Sequence, residues 1–143
     1  CAAVMAVSFA TPAAFADDEG EIKYRKSVMK AVGGHMGGIG GILKQSTGNA
    51  ANLQVHADGM VALANITGSL FPAGSDFGDT TVISAVWDKP DEFAAAVKQF
   101  QDAANGMAAA AKSGDMAQVG AAMGPLGKSC KNCHENFREK KDK

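Results

Sequence analysis

The sequence predicts an all-α protein built as an antiparallel four-helix bundle, and three observations carry that prediction. No segment alternates apolar and polar residues for long, and Ala is abundant while β-branched residues are few, which favours helix over strand. Apolar residues recur at spacings of three and four along four separate stretches, so each stretch has one face to bury. Short links rich in Gly, Pro and Asp join the stretches, which sets neighbouring helices antiparallel around one shared core. The 143 residues, 46% hydrophobic and 20% charged with a formal net charge of -1, describe one small domain. That balance lacks the basic footprint of a nucleic-acid binder. No run of about twenty apolar residues is present to cross a membrane as a helix.

Residues 1–16, CAAVMAVSFATPAAFA, are uncharged and end in Ala14-Phe15-Ala16 before Asp17-Asp18-Glu19. This is the pattern of a signal peptide remnant, with small residues at the positions signal peptidase reads. The mature chain is expected to span 17–143, and the export signal to begin upstream of Cys1. A lipidated Cys1 is the alternative.

The first helix is expected from about Glu21 to Gln45, with Ile22, Arg25, Met29, Val32, Met36, Ile39 and Leu43 on one stripe. Its glycines, Gly33-Gly34, Gly37-Gly38 and Gly40-Gly41, each cost about 1 kcal/mol relative to Ala. The apolar spacing continues through them, which argues for helix over loop, with small residues that let another helix of this or a second subunit approach closely. The second helix, about Asn49 to Leu70, lines up Leu53, His56, Met60, Leu63 and Leu70. Breakers mark residues 71–79 as a loop. Asp88 is a plausible N-cap for the third helix, with Pro90, Asp91 and Glu92 in its first turn. Its stripe is Phe93, Val97, Phe100, Ala104, Met107 and Ala111, and Gly114 closes it. Asp115 then caps a fourth helix with Met116, Val119, Met123, Leu126, Cys130, Cys133 and Phe137 on its seam.

Three cysteines make no disulfide scaffold, and two of them lie in Cys130-Lys131-Asn132-Cys133-His134. Thioether attachment of haem needs two thiols at fixed spacing for the two vinyl groups and an imidazole beside the second thiol to reach the iron. On a helix these three side chains project to one side, on the apolar seam, so a cofactor held there would lie inside the bundle. A thiol-disulfide oxidoreductase normally places its dithiol at a helix start after a strand, and a structural zinc site wants four ligands. Neither setting is found here, so one covalent haem c is the expected cofactor, with the dithiol as the rival chemistry.

Arg25 is anomalous on an apolar seam, because a buried guanidinium needs a partner. A haem propionate would serve; otherwise the side chain snorkels to solvent. Met29, one turn on, is either an axial thioether ligand or bulk over the open face of the iron.

At these residues the chain resembles the class II c-type cytochromes, the cytochrome c′ family and its low-spin relative cytochrome c-556. The resemblance runs over nearly the whole mature chain. It rests on Ile22-Lys23-Tyr24-Arg25-Lys26-Ser27-Val28-Met29-Lys30, Leu70-Phe71-Pro72, Ser75-Asp76-Phe77-Gly78, Trp87, the C-terminal Cys130 to His134 string and Phe137-Arg138. It implies a periplasmic bundle, often a homodimer through its first two helices, that exchanges electrons with redox partner proteins and is no enzyme. It also implies thioethers at Cys130 and Cys133, iron ligation by His134 and a propionate near Arg25. Lys26, Asp79 and Thr80 fall near positions that often line the haem, and Arg138 matches a basic residue beside the proximal His. At Met29 the family divides. A five-coordinate cytochrome c′, open to NO or CO, is the expected branch, because the loop and Trp87 look more like it; a Met29-ligated carrier of the cytochrome c-556 kind is the alternative. The remaining histidines are expected to be a bundle residue (His56) and a surface residue (His35), the other methionines to be core filling, and Phe77 and Trp87 to be loop anchors.

Overall fold

Four long helices form where the apolar spacing places them, and the computed structural model describes residues 18–45 and 49–140 of the chain. The expected export segment 1–16, Cys1 and the start at Asp17 lie outside the described residues. Helix α1 is Asp18–Leu43 and runs unbroken through its glycines; α2 is Leu53–Ile66. Short 3-10 turns, Ala50–Asn52 and Thr67–Leu70, flank α2, so the predicted second stretch is helical throughout but α only in its middle. A single turn, α3 (Ala85–Asp88), precedes α4 (Pro90–Ser113), and α5 is Met116–Phe137.

Asp88 is therefore not the cap of α4. It ends α3, and Lys89 takes the boundary position at φ -129 and ψ 61, outside the helical region and without a side-chain cap, because Pro90 disfavours helical geometry in the residue before it. The other boundary follows expectation. Gly114 adopts a left-handed φ of 71, which Gly alone takes without strain. Asp115 accepts hydrogen bonds from the N–H groups of Ala117 and Gln118.

Helices α1 and α2, α2 and α4, and α4 and α5 pack along their lengths, whereas α1 and α5 barely touch. A large core joins Ile39, Met60, Ala104, Met107, Val119 and Leu126. A smaller one gathers Val86, Phe93, Val97 and Phe137. Met60 and Met107 are fully buried, and Met36 and Met123 pack partly buried against the large core, as filling should. Met116 is instead exposed at the start of α5.

The loop after Leu70 is tied to the end of α5. The N–H of Ile83 donates to the Phe137 carbonyl (3.3 Å), and that of Glu139 donates to Thr81 (2.8 Å). Trp87 anchors it as expected, its Nε1 donating to the Phe71 carbonyl at 3.1 Å. Phe77 does not, since it is 76% exposed.

Candidate functional site

The helical repeat of α5 sets Cys130 and Cys133 one turn apart at the edges of the two cores. Cys130 packs against the large cluster and Cys133 against the small one, and both are free and half-buried. Burial pushes both thiols above their ordinary range. At Cys130 a hydrogen bond involving Ser129 tempers the rise; at Cys133 the neighbouring Cys130 adds to it. These thiols stay protonated at neutral pH. A thiol-disulfide catalyst needs the opposite, a depressed pKa near a helix start, whereas this pair lies in the last turns of α5.

His134 follows directly but turns outward. It is exposed, in an open groove shared with Lys131, Glu135, Arg138, Glu139 and Lys140. Desolvation by the surrounding protein, and then the charge of Arg138, hold its imidazole below its ordinary value. A neutral imidazole is the form that ligates a metal. The apolar seam expected to carry the string is thus divided: the thiols border the cores and the imidazole borders solvent.

Arg25 is 3% exposed, and the partner it requires is the chain itself. One terminal nitrogen donates to the Leu70 carbonyl (3.2 Å) and to Ser75 Oγ (2.8 Å). The other donates to the Ser75 carbonyl (2.8 Å) and to Thr80 Oγ1 (3.0 Å). The guanidinium carbon also lies 5.1 Å from the centre of the Phe71 ring, within cation–π range. All four terminal N–H groups are so engaged, and snorkelling to solvent is not observed. Burial lowers the pKa of Arg25 while Glu21 opposes that shift; the group remains a cation.

Three of the residues placed near the haem by resemblance meet at this clasp. Thr80 binds Arg25, and Lys26 pairs with Asp79 at 2.5 Å on the exposed side of the same loop. The Lys26 hydrogen bond and charge hold the Asp79 carboxyl below its ordinary value. Ser75, fully buried, and Phe71 are the members that sequence reasoning missed, although both lie in strings that carried the resemblance. From Phe71 an edge-to-face series leads on through Phe93 (4.9 Å) to Phe137 (5.2 Å). The loop clasp and the Cys133 end of α5 therefore share one small core.

Met29 is half-buried on α1. Farther along the same helix, Met36 reaches Gly127 of α5. His35 is no free surface residue: it is half-buried, with Nδ1 3.3 Å from Nδ1 of His56 on α2.

A family model described as Cytochrome C′ matches residues 20–138. A cytochrome c′ from Pararhodospirillum photometricum is 39% identical, over 87% of this chain and 100% of that protein. Other relatives are named cytochrome c-554 and cytochrome c-556. Among solved structures, a cytochrome c′ with ligand-controlled dimer dissociation has a TM-score of 0.82 at 32% identity, covering 89% of this chain and 100% of that one. A ferrous Alcaligenes xylosoxidans cytochrome c′ variant with bound NO has a TM-score of 0.81 at 29% identity, covering 89% and 99%.

Proposed function

The chain belongs to the cytochrome c′ family, and from that premise we propose a periplasmic haem c protein that passes single electrons and whose five-coordinate iron accepts NO or CO. The observation that carries this reading is the pair of free, half-buried thiols one turn apart at the edges of the two cores, with His134 beside the second. Thioether formation adds one S–H across each vinyl group, so free thiols at the core edge with His134 beside them fit a covalently held haem. When bound, the haem supplies a one-electron iron couple and a metal centre for small ligands.

The chain's own residues do the rest. Cys130 and Cys133 would fix the group on α5, and His134 would be the iron ligand. Met29, half-buried on α1, would screen the open face of the iron. Arg25, Lys26, Asp79 and Thr80 hold the loop that closes that end. The role is that of a carrier and binder, not an enzyme, with redox proteins as partners. Homodimer formation through α1 and α2 is part of the same proposal. The dimer named for a solved relative and the open ground at Gly33, Gly34 and Gly37 support it.

The second reading, a low-spin carrier with Met29 as sixth ligand, is favoured by the half-burial of Met29 and by the relative named cytochrome c-556. The iron spin state decides. A high-spin native spectrum, little changed in Met29→Ala and shifted by NO or CO, supports the five-coordinate proposal; a low-spin spectrum that turns high-spin in Met29→Ala overturns it.

A further inference from the structure

Away from the α5 cysteines, α1 and α2 bring together two imidazoles that the haem chemistry does not use. His35 Nδ1 and His56 Nδ1 are 3.3 Å apart, with the rings edge-to-face at 71° and their centroids 5.4 Å apart. Each ring is seated on a glycine of the opposite helix. A Cβ at Gly59 would collide with the His35 ring, and one at Gly38 would lie 2.6 Å from the His56 ring. Of the α1 glycines, Gly33, Gly34, Gly37 and Gly40 have nothing so near. At Gly38 and Gly59 a side chain would collide with a neighbouring ring, and the pair is reciprocal: each helix contributes one ring and one seat.

Such seating fixes ring positions before any ligand arrives. Two nitrogens bound to a tetrahedral zinc ion at about 2.0–2.1 Å are separated by about 3.3–3.4 Å, which matches the observed spacing. We propose that His35 and His56 form a two-imidazole site, bridging α1 and α2, for a divalent first-row cation of the zinc or copper type, with water completing the coordination. Imidazole donors select such ions over magnesium or calcium. In the metal-free protein one Nδ1–H donates to the other Nδ1. On binding, that proton leaves Nδ1 and the ring carries its N–H at Nε2, so two neutral imidazoles present two lone pairs with no net proton release.

The test uses the haem-loaded, tag-free protein, in which thioethers occupy the cysteines. Calorimetric titration with zinc chloride should show one ion per chain, and magnesium chloride no binding. Affinity should fall about tenfold or more in His35→Ala and in His56→Ala, and should weaken in Gly59→Ala, which keeps both imidazoles but displaces a ring. Nitrogen NMR of the wild-type histidines, independent of any variant's folding, should show Nδ1 of both His35 and His56 shifting together as zinc is added. No zinc binding, affinity unchanged by loss of either histidine, or a shift at only one of the two rings would overturn the proposal.

Discussion

The Arg25 clasp and the Cys130–His134 turn are both polar chemistry set into apolar surroundings, yet the chain treats them oppositely. At the clasp, four neutral oxygens and an aromatic face meet a buried cation. At the turn, two half-buried thiols remain free and an imidazole faces solvent. The difference separates structural from functional demand. A buried charge must be satisfied for the fold to persist, whereas a site for an external group has to keep its reactive atoms accessible.

The largest test of this contrast is removal of both thiols. Cys130→Ala/Cys133→Ala should lose covalent haem completely, read as a haem band that acidified organic solvent strips from the protein. Arg25→Met should do the reverse, keeping covalent haem while losing about 3 kcal/mol of stability in urea unfolding, because buried oxygens of Ser75 and Leu70 lose their donor. Equal haem loss in the two variants would break the distinction. Ser75→Ala removes one acceptor from the same network and should cost about 1–2 kcal/mol, again with haem attachment intact.

The smallest effect sharpens the comparison from outside both regions. Gln118, then the N–H groups of Ala117 and Gln118, hold the Asp115 carboxyl below its ordinary value. Its contribution is therefore present above the unfolded carboxylate pKa and lost as pH falls through the lower folded value. Asp115→Asn keeps a capping acceptor. It should match wild type in thermal unfolding at about pH 6 and lose less stability than wild type on going to about pH 3.

Much of this architecture was legible in the chain, and the reasons are physical. Stripes such as Phe93, Val97, Phe100 and Met107 have a period that only a helix can bury, and Gly114-Asp115 carries its own stop and start chemistry. The glycine-rich part of α1 was read correctly because its apolar spacing never lapses. Local patterns fail where distant segments supply the contact. At Asp88 the failure was local, because Pro90 shifted the boundary to Lys89. Arg25 visibly needed a partner; that it would be Ser75, fifty residues on, depends on how the loop folds back. The His35–His56 pair was missed for the same reason, since each residue by itself shows no partner. At the site, the identity and spacing of Cys130, Cys133 and His134 were plain, but their division between core edge and solvent was not.

The central claim is that Cys130 and Cys133 carry the haem covalently with His134 beside it. Mass spectrometry of the proteolytic peptide containing residues 130–134, prepared after acid extraction, tests it most directly. The account predicts that this peptide retains one haem on both sulfurs; a peptide with two free thiols or a Cys130–Cys133 disulfide, and haem in the organic phase, would contradict it.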